Sequence, residues 1–536
     1  MFLWRSQPKH TSGTRRRVLD AASLGLRIAE PVRKPRLLGG PDTLAPHLLL
    51  GLLSILMLYL PNQAQFQMET GLRGLNVVNI LFILALAVLL LMPRDTGKPA
   101  VPTPLKLPII LFFLLLAWAL VVALLGDASA WVEDVTVFKN AVFYVLLYFL
   151  FFHAVRDMKS ARWYAFLLLF VVLTSGVLGV RQALDYGLGQ FNDQKRVAAP
   201  FGWSVFDANR SAIFFCIYLQ LVLAVILFFK TSTWLRVACI IIFLLGVFSI
   251  LHTYSRQSYI ILAVLILLLA LRKHVLTALV VVFALYHYDA WVPETVVERI
   301  EMTQIDPFEV KRYRPQSPAF GSPTTSHAPL YGEVVNFRSS NPFSPARSVS
   351  GESEDAAPEY DGSTESRFTL WAGAWELMIR NPLGIVLNRF KRDINPYVPV
   401  TMAGKDAHNY LVLVTTEAGF VAPLVMLALL GALMLQGLRL SHLAIDDESR
   451  TLGAGFVMAT WAVILGNVFG SRFVDGDVMG LYWIFAALVT RVGLFKREEA
   501  LARQLKRSAA SAAGCPSVPI AQRHVATAPT AVRTWF

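Results

Sequence analysis

Long apolar runs recur along most of the chain, and short polar segments separate them. The runs are roughly 16–22 residues long, which matches the thickness of a bilayer core, and they predict an all-α polytopic membrane protein with about twelve transmembrane helices. The predicted spans cover approximately residues 46–62, 74–92, 105–125, 136–153, 161–180, 210–229, 234–251, 257–271, 275–290, 410–437, 453–470 and 478–495.

Composition supports this fold class. Of the 536 residues, 55% are hydrophobic and 16% are charged, and the mean hydropathy of +0.53 is too high for a soluble enzyme of this length. The net charge of +13 is concentrated in two tails, with nine Lys and Arg residues in 1–44 and seven in 496–536. Basic segments stay on the cytoplasmic side, so both termini are predicted to be cytoplasmic, in agreement with an even number of spans. The expected partners of these bases are anionic membrane lipids rather than nucleic acid.

The order of apolar and polar segments predicts five regions. They are a basic cytoplasmic tail at 1–44, spans one to nine at 45–290, a large external loop at 291–408, spans ten to twelve at 409–495, and a basic, disordered cytoplasmic tail at 496–536. The middle of the large loop is rich in Ser, Pro and Gly, which predicts flexibility. Its end predicts an amphipathic helix on the outer membrane face, because Phe368, Trp371 and Trp375 recur at helical spacing until Asn381-Pro382 ends the pattern.

Polar clusters stand at the external mouths of several predicted spans. They contain Asn209 and Arg210, then Arg256, then Arg367, then His408 and Asn409, and finally Arg472 near Asp475 and Asp477. External arginines oppose the positive-inside bias, and each could simply anchor a helix end among lipid headgroups. Alternatively, because a guanidinium binds phosphate oxygens bidentately, several such mouths together favour an anionic substrate such as a lipid-linked diphosphate.

His408 is the candidate general base. A neutral imidazole near pH 7 can accept the proton of an incoming sugar hydroxyl, although a histidine that caps a helix at the interface would show the same spacing. Asn409 would orient this ring or bind a sugar hydroxyl. Glu417 lies nine residues further on, about 180° around a continuous helix. His408 and Glu417 cannot act as a dyad in such a helix unless Gly419 marks a break nearby. Glu417 is therefore interpreted first as a buried structural hydrogen-bonding group and second as a catalytic one.

No metal or other cofactor is expected. Asp475 and Asp477 are one residue apart and could hold a divalent cation, but Asp-Gly is ordinary turn chemistry. Cys216, Cys239 and Cys515 have no metal-ligand or disulfide spacing.

Four ordered segments resemble the bacterial O-antigen ligase and O-antigen polymerase superfamily. "AHNYLVLVTTEAGF" is similar to its His-Asn…Glu-x-Gly signature, "TYSRQSY" to its Ser-Arg motif, "SRFTLWAGAWELMIRNPLGI" to its Arg…Trp…Pro-x-Gly segment, and "FDANRSA" to its Asn-containing start of a span. The resemblance covers roughly residues 45–495 and includes the twelve spans and the large loop. It implies a metal-independent, inverting GT-C glycosyltransferase that uses undecaprenyl-diphosphate glycans on the periplasmic side of the inner membrane.

The resemblance also implies roles for individual residues. Arg256 matches an arginine expected to engage the diphosphate, and His408 matches the histidine expected to activate the acceptor. Arg367 matches the arginine that opens the loop helix. The full predicted substrate-binding set, which adds Arg210 and others from their position, is Arg210, Asn209, Arg367, Asn409 and Arg472.

Three reactions fit these motifs equally well. A polymerase joins lipid-linked repeats, a ligase transfers the glycan to lipid A core, and a protein O-oligosaccharyltransferase transfers it to Ser or Thr. The distinctive loop favours the polymerase, with a glycan or lipid acceptor and a chain-length regulator as a candidate partner. A lipid-linked oligosaccharide flippase is the alternative from another class. It would need charges along a central path, whereas the polar clusters here lie on one face.

Overall fold

The computed structural model describes residues 44–66, 76–92, 102–126, 131–188, 194–204, 207–301, 362–385, 387–443 and 446–513. Within these ranges the chain forms helices and no strand. The α-helices are α1 (Leu44–Tyr59), α2 (Val77–Leu91), α3 (Lys106–Gly126), α4 (Trp131–Ala154), α5 (Met158–Tyr186), α6 (Ala208–Phe228), α7 (Thr233–His252), α8 (Arg256–Lys273), α9 (Val275–Tyr286), α10 (Glu294–Glu301), α11 (Gly362–Arg380), α12 (Phe390–Asp393), α13 (Tyr410–Ala418), α14 (Ala422–Leu443), α15 (Asp447–Val468) and α16 (Gly476–Ala513).

The protein is an all-α polytopic membrane protein, as predicted. In the part of the chain that the structure describes, nine helices are long and apolar enough to cross a bilayer, namely α1, α3, α4, α5, α6, α7, α14, α15 and α16. The other three predicted spans fall on α2, α8 and α9. Two of these are shorter apolar helices, and α8 carries Arg256, Arg272 and Lys273 at its ends. The described residues thus contain nine candidate spans, and the number twelve stays a prediction.

Helix α6 lies at the centre of the bundle, and nearly all of its side chains are buried. Small residues on α15 allow that helix to approach α6 closely. A Cβ placed on Gly455 of α15 would lie only 3.0 Å from the Cα atom of Leu221 in α6. Helices α14 and α15 meet in the same way, since a Cβ on Gly453 would lie 2.6 Å from the Ser441 backbone nitrogen and 2.8 Å from the Gly437 carbonyl oxygen. Such contacts between small residues replace the hydrophobic driving force that is absent in lipid.

The tenth predicted span is not one continuous helix. Gly419, at φ 87°, separates α13 from α14, and the predicted 410–437 helix is wrong at this point. This left-handed conformation favours glycine. Because the apolar run continues through the break, hydrophobicity alone does not reveal it. The orphaned backbone groups are hydrogen-bonded to the preceding loop: Ile385 N–H donates to Thr416 O (2.9 Å) and Phe420 N–H donates to Pro382 O (3.2 Å).

The amphipathic helix predicted before His408 is present as α11. It ends at Arg380, directly before Asn381-Pro382. Leu370, Ala374 and Leu377 are buried against the segments that follow. Phe368, Trp375 and Ile379 are exposed on another face. The flexible middle predicted for this loop lies outside the described residues, as does all but Leu44 of the predicted N-terminal tail.

Helix α16 continues to Ala513, so the predicted disorder of residues 496–513 is wrong. The segment "KREEALARQLKRSAASAA" is rich in strong helix formers. Ion pairs one turn apart add to its stability: Lys496 Nζ lies 3.5 Å from Glu499 Oε2, and Glu499 also pairs with Arg503. Residues 514–536 lie outside the described part of the chain. The described residues from Leu48 to Ala513 cluster as one compact unit, to which Leu44–His47 do not belong.

The close approach of α14 and α15 generates a stability prediction. Gly453→Ala places a methyl group against backbone atoms that cannot move aside, so it should destabilise the protein by about 1–3 kcal/mol. Gly431→Ala on α14 is the matched control, because its Cβ would meet no atom within 4 Å. Thermal unfolding of the purified variants in detergent measures the difference. Equal melting temperatures for the two variants would contradict this packing.

Candidate active site

His408 lies in a short segment whose backbone is fixed on both sides. On one side, the Trp371 indole N–H donates to Ala407 O (2.8 Å). On the other, the Asn409 side-chain oxygen accepts hydrogen bonds from two N–H groups of the first turn of α13, at 2.9 and 3.1 Å. Between these anchors His408 has φ 50°, a conformation that non-glycine residues rarely adopt. Its position is therefore set by its surroundings rather than by its own preference.

The helix cap is Asn409 and not His408, so the interpretation of the histidine as a capping residue is wrong. Asparagine is a preferred N-cap residue because its side-chain oxygen binds the free N–H groups of the first turn. This role occupies the oxygen of Asn409, which leaves its NH₂ group for any contact with a substrate. The imidazole of His408 remains half-buried and reachable.

Charged groups from four segments surround the imidazole. Burial lowers the pKa of His408 below its ordinary value of 6.5, the carboxylate of Asp406 opposes this shift, and the cations Arg367, Arg472 and Lys391 reinforce it. The ring is consequently neutral at pH 7 and can accept a proton. The term cationic cluster is used below for the three cations Arg367, Arg472 and Lys391 together with His408. The sequence places Lys391 in the external polar cluster that follows Arg367 but not in the predicted substrate-binding set, because nothing in the spacing of α12 brings it beside His408.

Further contacts position the two arginines of the cationic cluster. The Arg472 guanidinium pairs with Asp475 Oδ2 (3.0 Å), and its backbone N–H donates to Asn467 Oδ1 (2.9 Å), which holds the turn between α15 and α16. The Arg367 guanidinium lies 6.0 Å from the centre of the Phe469 ring, a cation–π contact between α11 and the end of α15. The site is thus assembled from parts of the chain that are distant in sequence.

Arg210 is embedded among carboxylates. It lies 2.9 Å from Asp207, 3.4 Å from Asp475 and 3.8 Å from Asp477, and Gln63 donates to Asp477 at 2.7 Å. These contacts connect the ends of α6 and α16, so Arg210 has a structural role. The predicted contact of Arg210 with a substrate phosphate would require that one of these carboxylates move away. Among the described residues, no three His, Cys, Asp or Glu side chains are arranged to hold a metal ion.

A second group of cations lies beside the first turn of α8. Arg196 donates to Thr253 O (2.7 Å) and to the Asn209 side-chain oxygen (2.9 Å), and both Arg196 and Arg299 act electrostatically on Tyr259. Arg256 is the first residue of α8, three residues after Thr253 and three before Tyr259. Arg196 and Arg299 were not singled out from the sequence, because their segments contain no recognisable motif.

The predicted site residues therefore fall into two groups that are linked. The charges that act most strongly on His408 include Arg367 and Arg472 but not Arg256. Asn209 contacts the second group, and its neighbour Arg210 is connected through Asp475 to Arg472 in the cationic cluster. Polar contacts thus connect the ends of α6 and α16, and through Asn209 and Arg196 they reach Thr253 just before α8.

Buried ion and hydrogen-bond contacts support the segment between α11 and α13. Arg389 pairs with Asp134 of α4 at 3.3 Å, and both side chains are buried. Glu417 accepts a hydrogen bond from the Asn388 backbone N–H (2.9 Å), so it is the buried structural group predicted from its spacing. A Cβ on Gly384 would collide with the carbonyl of Glu417. This contact gives a physical reason for glycine in the "NPLGI" segment.

No protein-family model matches the chain, and a search of curated proteins finds no match either. The resemblance to the O-antigen ligase and polymerase superfamily consequently rests on the four short segments and their order.

The contact between Gly384 and Glu417 predicts a specific defect. Gly384→Ala should be destabilising twice over, by about 1–2 kcal/mol for the left-handed backbone and by about 1–3 kcal/mol for the collision. Gly404→Ala is the matched control, because that glycine has a positive φ (73°) but open space around it. Limited proteolysis of residues 381–409 and thermal unfolding report the difference. A Gly404→Ala defect as large as that of Gly384→Ala would disprove the collision.

Proposed function

We propose that the protein is an integral inner-membrane glycosyltransferase that polymerises or transfers an undecaprenyl-diphosphate-linked glycan on the periplasmic side. The observation that supports this most directly is the half-buried, neutral His408 beside three cations from three different segments. A base next to a concentration of positive charge suits a reaction in which a hydroxyl loses a proton and a diphosphate leaves. The two basic tails support a topology in which both termini are cytoplasmic.

The proposed reaction is an inverting displacement. The acceptor hydroxyl gives its proton to the His408 imidazole while its oxygen attacks the anomeric carbon of the donor sugar. The bond between that carbon and the diphosphate oxygen breaks, and its electron pair leaves with the diphosphate. Arg367, Arg472 and Lys391 stabilise the charge that develops on the leaving group, and Asp406 stabilises the imidazolium.

The second group of cations gives the other predicted residues a place in this scheme. Arg256, assigned to the diphosphate by resemblance, lies in the same region as Arg196 and Asn209. A glycan polymerase binds two lipid-linked diphosphates at once, one on each substrate. Two separated cationic groups on one network favour this reaction over transfer to lipid A core or to a protein Ser or Thr, which remain the alternatives.

Charge distribution in the central helices favours an enzyme over a flippase. After Arg210, helix α6 contains no Asp, Glu, Lys, Arg or His, and α15 contains none after Arg450. A transporter that moves a diphosphate across the bilayer needs polar groups along its path. The absence of charge from the interiors of these two helices supports chemistry at one end of the bundle.

His408→Gln should abolish most of the activity, because a positioned general base contributes about 10²–10⁴-fold. His442→Gln is the control, since His442 is exposed near the far end of α14. Surface and lipid-linked glycans from the native host, resolved by size with protein levels checked, give the answer. Accumulation of single lipid-linked repeats indicates a polymerase, whereas long lipid-linked chains without acceptor indicate a ligase or a protein transferase. Unchanged glycans at normal protein levels would refute the role of His408.

The pH profile provides an independent test of His408. Protonation inactivates a general base, so activity should fall only below pH 6.5, because the pKa of His408 is lowered. Lys391→Gln removes a cation and should move this acidic limb upward, whereas Asp406→Asn should move it downward. Each shift should be about 0.1–0.7 pH units, since exposed charges interact by about 0.2–1 kcal/mol and one unit is about 1.36 kcal/mol. Shifts of the same sign in both variants would exclude His408 as the titrating group.

A further inference from the structure

A cavity of about 260 Å³ lies between α13, α14 and α15. Its walls are apolar and aromatic, with Leu430 and Met434 from α14, Trp461 from α15, and Tyr410 and Phe473 near the helix ends. Gly431 also lines it, and a Cβ on this glycine would meet no atom within 4 Å. The cavity therefore has room for an apolar chain, and none of the residues in the proposed reaction fills it.

This cavity opens on the surface that faces lipid. Leu427 and Trp461, which both line it, expose 55% and 40% of their surface. Both belong to helices that are long and apolar enough to cross a bilayer. A hydrocarbon chain can therefore reach the cavity sideways from the membrane without crossing water.

The cavity is joined directly to the cationic cluster. Phe473 follows Arg472 in the chain, and Tyr410 is two residues after His408. Their two rings stack with centres 5.2 Å apart. The wall also includes Asn467, whose side-chain oxygen accepts the Arg472 backbone N–H. An anionic group held by the cluster would consequently lie next to the end of the apolar cavity that Tyr410, Phe473 and Asn467 line.

We propose that this cavity holds the isoprene units next to the diphosphate of the polyprenyl-linked donor. The inference rests on the proposed function, because it takes the donor to be a polyprenyl diphosphate. The occupant must be an amphiphile, since the cationic cluster takes an anion and the cavity takes a hydrocarbon. A diphosphate matches three cations better than the single phosphodiester charge of a membrane phospholipid does.

The chain itself supplies the test variant. Gly431→Leu fills the cavity from an open position, and leucine is a better helix former than glycine, so the fold should survive. Gly51→Leu on α1 is the matched control, because Gly51 is also exposed and has no atom within 4 Å of its Cβ. Neither change alters a charge near His408.

Binding to the purified full-length protein in nanodiscs is measured with inorganic pyrophosphate, farnesyl diphosphate and phosphatidylglycerol. Wild type and Gly51→Leu should bind farnesyl diphosphate at least tenfold more tightly than pyrophosphate. Gly431→Leu should lose at least tenfold in affinity for farnesyl diphosphate and keep its affinity for pyrophosphate. Unchanged farnesyl diphosphate binding in Gly431→Leu overturns the proposal, as does equal competition by phosphatidylglycerol in wild type, or a wild type that binds neither diphosphate.

Glycan transfer is assayed separately, so the two proposals fail in different ways. If prenyl diphosphate binding depends on Gly431 but no glycan is transferred, the cavity assignment stands and the proposed reaction fails. If wild type transfers glycan and Gly431→Leu does so with an unchanged KM for the long-chain donor, the reaction stands and the cavity assignment fails.

Discussion

The geometry of the candidate site depends on one interruption of a helix. Where the chain leaves the helical path at Gly419, backbone groups lose their helical partners next to buried residues, and they find other partners within the protein. The segment around Pro382 and Ile385 supplies them, and its own irregular backbone is hydrogen-bonded in return. Each of the two irregular segments therefore supplies hydrogen-bond partners for backbone groups of the other. Helix α11 ends in this loop and α13 ends at the break, so the interaction fixes both elements that present Arg367 and His408.

Close contact at this point requires the absence of side chains. A Cβ on Gly419 would lie 2.8 Å from the Pro382 carbonyl, and one on Gly384 would strike the carbonyl of Glu417. Glu417 then hydrogen-bonds the Asn388 backbone, and the adjacent Arg389 is anchored to Asp134 in α4. Removal of one partner from a buried ion pair leaves an uncompensated charge, so this pair ties the loop firmly to the bundle. The arginines consequently divide into two kinds. Arg210 lies among three carboxylates and Arg389 is paired with Asp134. Around His408, by contrast, three cations act against the single carboxylate of Asp406, although one of them, Arg472, also pairs with Asp475.

Sequence patterns predict the helices well and the contacts between them poorly. Apolar runs of bilayer length identify α1, α3 and α6 because membrane thickness fixes the length of a spanning helix. The break at Gly419 is invisible to that criterion, since residues on both sides are equally apolar. Asn409 stands where an N-cap belongs, so its capping role was readable from the residue type alone. The position of Lys391 beside His408 could not be read from the sequence, because only the folded loop brings the two residues together.

The substrate proposed for this protein combines a hydrocarbon chain with a charged head, and the surfaces around His408 combine the same two properties. The exposed apolar face of α11 contacts the turn between α13 and α14, where the rings of Trp375 and Phe420 have centres 6.2 Å apart. Apolar surface thus borders the cationic cluster on this side, and the apolar cavity borders it beside Phe473. When a charged head group reaches such a boundary, it loses its hydration only at the cationic cluster. There the guanidinium groups replace the lost water. Under the proposed function, this boundary would select against both free sugar phosphates, which lack the chain, and neutral lipids, which lack the charge.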